Sequence, residues 1–292
     1  MIPLNHLDNL PIPPETVYTP DSELRHPWAF FRALARDFLA SGEMAWVILV
    51  RNIKGKYRQT LLGFFWAFVP PIVTTLAFVL LESQQIISGK GVGIQYGAFV
   101  MVGSLLWQGF VDAVHSPLRM VNSSLSMLSA VRFPRETLIL AGLGECLFNF
   151  AIRLVLLLFV FLYYGLPLSW SLALAPFAVL LLLIAGFVIG LALIPLGMLY
   201  HDVEMGLGIG ISLWFFLTPV AYATPAEGLL AKVNAWNPVT PLLVTTRELI
   251  TGTALSQSGS FALVAAASAV LFVAGLAVYR LSMPHIIKRA KV

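Results

Sequence analysis

Charge is what this 292-residue chain has least of: 11% of its residues are Asp, Glu, Lys or Arg, against 59% hydrophobic. Soluble domains carry about 25% charged and about 45–50% apolar residues. That balance excludes a water-soluble globule, and the apolar content excludes intrinsic disorder. Cysteine is scarce too. The one present, Cys146, cannot form an internal disulfide, and its apolar neighbours mark it as a small core residue rather than a redox centre. No GxxxxGK[ST] phosphate loop occurs, since Lys56 is followed by Tyr57 and Lys90 by Gly91. Neither HExxH nor GxSxG is found. The five histidines (His6, His26, His115, His201 and His285) are scattered, so no metal centre and no catalytic residue is expected. The charge relays that proton-coupled pumps carry inside their spans are missing as well. Any work the chain does is therefore expected to draw its energy from another subunit.

What the sequence does hold is long apolar runs. A bilayer core of about 30 Å takes about 20 apolar residues as a helix. Six stretches qualify, at about 61–81, 94–114, 138–164, 172–199, 206–223 and 260–281, the fifth being short. Pro70-Pro71 is expected to kink the first, because an interior proline removes a donor and crowds the preceding turn. The fold class is therefore an all-α integral membrane protein with a six-span domain over 60–282. Residues 1–26 form a polar, proline-containing tail with no apolar core segment, so the N-terminus is expected to stay in the cytoplasm uncleaved. Residues 283–292 form a basic tail. Fourteen of the eighteen lysines and arginines fall in residues 1–60, the 115–137 loop or the tail, whereas Lys90, Lys232 and Arg247 lie on the other side. The positive-inside rule then places both termini in the cytoplasm.

Residues 27–59 read as amphipathic helices at the membrane interface. Trp28, Phe31, Leu34, Ala35 and Phe38 recur at helical spacing opposite Arg32 and Arg36. Further on, Trp46, Val50, Ile53 and Tyr57 form one stripe and Arg51, Lys54 and Arg58 another. A basic, aromatic-rich face suits anionic lipid, and it equally suits docking of a partner.

Within the third stretch Glu145, Asn149 and Arg153 are spaced four and four, hence on one helix face. Charged groups at depth cost about 2.5–3.5 kcal/mol each, so this face must turn inward. It is either a hydrophilic path or a structural pairing, with Asp112 or Glu82 as partners; the pairing weighs more, since helix-to-helix contact needs such a stripe. Gly206 with Gly210, and Gly186 with Gly190, make GxxxG patterns that allow close helix contact, most simply within the chain. Aromatic residues crowd three stretches: Phe64, Phe65, Trp66 and Phe68; Trp107 and Phe110; Trp214, Phe215 and Phe216. Interface belts account for most such residues, but rings also stack on sugars and could line a glycan pore. The segment 224–259 is apolar at Leu229, Leu230 and Trp236 yet broken by Asn237-Pro238 and Thr240-Pro241. It reads as a re-entrant helical pair, a form suited to a gate on the outer side.

Lys56-Tyr57-Arg58-Gln59-Thr60-Leu61-Leu62-Gly63, continuing to Trp66 and Pro70, resembles the entry to the first span of polysaccharide-export ABC permeases. These are the type-2 exporters of the Wzm O-antigen and KpsM capsule kind, with teichoic-acid exporters as relatives. Arg132-Phe133-Pro134-Arg135-Glu136 resembles their cytoplasmic segment between spans two and three, and Asn237-Pro238-Val239-Thr240-Pro241 with Arg247 resembles their extracellular gate helices. Where the family commonly has Arg-Asp after the fourth span, this chain has His201-Asp202, so the loop lacks a fixed positive charge.

The resemblance implies a homodimeric permease of the bacterial inner membrane, bound to two copies of a separate ATPase. That ATPase would hold ATP and Mg, with no cofactor on this chain. Arg51, Lys54, Arg58, Arg132, Phe133, Pro134, Arg135 and Glu136 would be coupling residues, and the aromatic residues named above would lie along the channel. Trp236, Asn237, Pro238, Pro241 and Arg247 would form the gate. The cargo would be a lipid-linked polysaccharide. Two rivals stand beside this reading. One is a drug or lipid exporter of the same fold; the other is a membrane enzyme acting on lipid-linked sugars, built from His115, Asp112, His201, Asp202 and Arg247.

Overall fold

The computed structural model describes residues 27–58, 63–87, 89, 91–130, 133–200 and 202–290, without the side chains of 27, 29, 57–58, 125–126, 128–130 and 284–290. The polar N-terminal tail, Arg132 and His201 lie outside the described residues, as do the side chains of Arg58 and the basic tail. Among the described residues the chain is helical throughout: α1 Pro27–Ala40, α2 Gly42–Arg58, α3 Val69–Ser83, α4 Tyr96–Ala130, α5 Glu136–Tyr164, α6 Ala175–Gly197, α7 Asp202–Leu217, α8 Leu229–Trp236, α9 Val239–Thr251 and α10 Ser258–Ala290. Short 3-10 turns at Gly63–Ala67 and Trp170–Leu174 precede α3 and α6.

Four segments are long and apolar enough to cross a bilayer: Tyr96–Ser124, Glu136–Tyr164, Trp170–Gly197 and Ser258–Met283. The first and fifth expected spans are shorter, with α3 at 15 residues and α7 at 16. At 1.5 Å per residue they reach only about 22 and 24 Å. Both have local causes. Pro70-Pro71 does not kink the first span; the prolines stand in the first turn of α3, where a missing N–H costs nothing, and the residues before them form the 3-10 turn. The fifth span stops at Leu217 because the chain turns at Thr218–Ala221 to meet α9.

Helix α4 is the axis of the bundle. Ala98, Val102, Leu106, Phe110, Ala113, Val114, Leu118 and Val121 are buried along it, and α3, α5 and α6 surround it. The closest approach is to α6. A Cβ on Gly186 would lie 2.8 Å from the Phe110 carbonyl oxygen, and one on Gly190 only 2.3 Å from that of Val114. This GxxxG pair is thus an intramolecular contact, and its glycines are required by backbone proximity. Gly206, Gly208 and Gly210 on α7 meet nothing within 4 Å. Gly206 and Gly210 are exposed, as are Met205, Ile209, Leu213 and Phe216. At its far end α5 closes on Gly165, whose φ of 62° is the left-handed cap that a glycine accepts most easily.

The amphipathic entry is oriented differently from the expected stripes. On α1 the buried residues are Phe30 and Leu34, while Trp28 and Phe31 are exposed. On α2 they are Ala45, Ile48 and Leu49, while Trp46 and Val47 are exposed. Both helices carry apolar residues on two faces, one against protein and one away from it. Periodicity alone cannot tell which is which.

Candidate functional site

Two groups of expected site residues gather at opposite ends of α4. At one end lie α1, α2 and the turn Phe133–Glu136. Arg51 is exposed on α2, its Nε and Nη2 donating to Asn52 Oδ1 at 3.3 and 3.2 Å and its Nη1 lying 3.3 Å from Met127 Sδ. Lys54 is exposed beside it. Phe133, Pro134 and Arg135 are half-buried, and Glu136 is buried in the first turn of α5, where the helix dipole favours a carboxylate.

This turn is held by residues that the sequence reading passed over. Tyr279 of α10, fully buried, donates from its hydroxyl to the Arg135 carbonyl at 3.0 Å. Its neighbour Arg280 donates from Nη1 to Glu136 Oε1 at 2.9 Å and to Asp37 Oδ2 of α1 at 3.0 Å. The Arg280 guanidinium also lies 5.7 Å from the Phe30 ring centre. Arg280 sits 144 residues from Glu136 and 243 from Asp37 in sequence. The available signal was an arginine at the end of an apolar run, and nothing in the sequence names its partners.

Midway along the bundle, Glu145, Asn149 and Arg153 are all buried on one face of α5. Arg153 Nη2 is 2.7 Å from Asp112 Oδ2 on α4, and Lys56 of α2 reaches Glu145 at 3.3 Å. Arg153 keeps two further donors, Nε and Nη1, without partners among the described residues.

Just beyond Asp112 along α4, toward the other end, the aromatic residues form a nest. Trp107 and Phe110 lie 5.4 Å apart, Phe110 meets Trp214 edge-on at 5.6 Å, and Trp107 meets Phe215 at 5.9 Å. Trp107 and Phe110 are buried, so in this structure they back other rings rather than face an opening. Phe64, Phe65, Trp66 and Phe216 are exposed, and Phe68 is half-buried.

Asn237 is the polar hub between α8 and α9. It accepts from Trp214 Nε1 at 3.1 Å and from the Val239 amide at 3.0 Å, and it donates to Thr218 Oγ1 at 2.9 Å. Arg247, buried on α9, donates to the carbonyls of Pro219 and Val220 at 2.9 and 3.1 Å and lies 3.7 Å above the Phe99 ring. Burial pulls its guanidinium down to about 9, still charged at neutral pH. Gly103 admits this turn: a Cβ there would sit 2.3 Å from the Val220 oxygen. Pro241 is buried in α9, while Pro238 is exposed. Trp214, Leu217, Lys232, Val233, Trp236, Asn237 and Pro238 line an open groove of about 370 Å³.

Of the residues proposed for the rival enzyme, His115 and Asp112 stand one turn apart on α4, His201 lies outside the described residues, and Arg247 is remote from Asp112. Asp112 is tied to Arg153, and Arg247 packs on Phe99, thirteen residues up the same helix, about 20 Å away. Among the described residues no three of His, Cys, Asp and Glu gather as a metal-binding group.

Comparison with known proteins decides the family. The ABC-2 type transporter family matches residues 43–251, which takes in α2, the Phe133–Glu136 turn and both helices of the far-end groove. The chain belongs to the ABC-2 type transporters. Membership, with several apolar helices, makes it a multi-pass membrane protein and a transporter component. Among relatives, it is 27% identical over 235 residues to the O-antigen export system permease protein RfbA of Myxococcus xanthus, covering 80% of this chain and 89% of that one. It is 24% identical over 210 residues to the protein of the same name from Klebsiella pneumoniae, covering 70% and 78%. The part of this ABC-2 chain that the family spans contains the Phe133–Glu136 turn, the far-end groove and the polar pairs between them, while Asp37, Tyr279 and Arg280, which hold that turn, lie outside it.

Proposed function

We propose that the chain is the permease subunit of an ATP-driven exporter that moves a lipid-linked polysaccharide of O-antigen type across the cytoplasmic membrane. One observation carries this: the relatives named as O-antigen export permeases align over 70–80% of the chain. In this reading α3 and α7 join the four long segments to make six crossings, with both termini in the cytoplasm. Two copies of the chain pair, and each takes one ATPase subunit, which binds ATP and Mg. Arg51, Lys54, Arg58, Arg132 and Phe133–Arg135 face that ATPase, with Glu136 buried behind them as the residue that ties the turn to Arg280. Capsule polymers, and drugs or lipids, are the alternative cargoes.

Arg135 supports the coupling assignment by position. It stands at the start of a helix whose first turn is anchored on two sides, so force on it moves α5 as a body. Arg135→Ala is expected to cut export and substrate-stimulated ATP turnover about tenfold or more, while the protein still inserts and accumulates. Surface glycan staining and ATP turnover in membranes read both. Unchanged export removes the assignment.

The groove at α8 supports the exit assignment. Two indoles and a lysine suit a passing glycan, since rings stack on sugar faces without demanding one sugar. Trp236 is 88% exposed and supports no core. Trp236→Ala is therefore expected to leave protein level unchanged and slow export about three- to tenfold, as measured by pulse-chase of surface polymer. Full-speed export would return the residue to the interface belt.

A further inference from the structure

We infer that Arg280 is a positioning residue, a three-way clamp that makes α1, the Phe133–Glu136 turn and the last helix move together; this rests on the reading of that turn as the ATPase contact. The geometry converges on one guanidinium. Arg280 Nη1 reaches Glu136 at 2.9 Å and Asp37 at 3.0 Å, with the three side chains only 7%, 4% and 15% exposed. Tyr279 adds a second grip one residue earlier, on the Arg135 carbonyl. Two consecutive residues of α10 thus hold two consecutive residues of the turn, and the same arginine holds α1.

A buried ion cluster is poor evidence of stability, because apolar residues of the same volume hold a fold as well. Its distinctive property is direction. Charge-assisted bonds to a planar guanidinium fix distance and angle together, so a displacement of one partner is passed to the other two. An apolar contact lets helices slide. At a turn pressed by a moving subunit, the clamp carries the stroke past α5 into α10 and the interface helix at once.

The test uses the full chain with its ATPase in membranes. Arg280→Gln and Asp37→Asn each keep the side-chain shape and cut the ionic link. Both variants are expected to insert and to retain the ATPase, with turnover of ATP within about twofold of the parent. Glycan exported per ATP should fall about tenfold or more, as misplacement at a distance does to a working site. Arg280→Lys, which keeps the charge but not the fork, should recover part of the loss. Parental export per ATP in Asp37→Asn and Arg280→Gln overturns the clamp. Loss of both variants from the membrane also overturns it, since the cluster would then be a structural lock. Arg135→Ala, run alongside, separates the two ideas. If it uncouples while Arg280→Gln does not, the clamp fails alone; if it has no effect, the reading of the turn fails.

Discussion

Gly190→Val should strip most of the protein from the folded, detergent-extractable pool. The new Cβ would fall 2.3 Å from the Val114 carbonyl oxygen and 2.8 Å from Pro117 Cδ. Backbone cannot rotate aside as a side chain does, so α4 and α6 must separate along their tightest contact. Overpacking costs about 1–3 kcal/mol where side chains yield, and this site lies at or beyond the upper end. The thermal midpoint, followed by size-exclusion chromatography after heating, is expected to fall by about 6–12 °C or more. Gly206→Val is the matched control. The same motif on α7 faces open space, so its midpoint should not move. A normal Gly190→Val and a collapsed Gly206→Val would reverse the packing assignment.

The second large effect concerns Asp112 and Arg153. Removing either alone strands a buried charge, a loss of about 3–5 kcal/mol. Asp112→Leu should be worse than the pair distance alone suggests, because two Arg153 donors already lack partners among the described residues. Arg153→Met leaves the smaller carboxylate, which is more open to its surroundings. Asp112→Leu with Arg153→Met removes both charges and is expected to return to within about 1 kcal/mol of the parent. A double-mutant cycle on the thermal midpoint measures this. Additive losses would show that the two groups do not depend on each other.

The layout was legible where composition alone sets it. Each of the six apolar runs holds a helix, in the expected order, and four of them are long enough to cross a bilayer, because burial of a helix in lipid needs little more than length and hydropathy. The pairing of Glu145, Asn149 and Arg153 into the protein was legible too, since three polar groups on one face have no other place to go. Sequence failed where two faces of a helix are both apolar. On α1 and α2 the stripe against protein sits beside the expected one, as the choice depends on Phe30 meeting Arg280 and Leu49 meeting Gly144. It failed for the same reason at Trp107 and Phe110, whose rings are indistinguishable from pore-lining ones until Trp214 is seen packed on them. Arg280 was counted only as a basic residue on the inner side. Its two carboxylates come from parts of the chain that no local pattern connects.

The brevity of α3 and α7 has a consequence for the lipid around them. Hydrophobic mismatch is relieved by thinning the bilayer, at a cost of fractions of a kcal/mol per ångström. Helices of about 22 and 24 Å fall well short of a core of about 30 Å. In the six-crossing reading proposed above, headgroups of both leaflets would be drawn toward each other where these two helices meet lipid. A headgroup crossing beside them would then have several ångströms less oil to traverse than beside the four long segments.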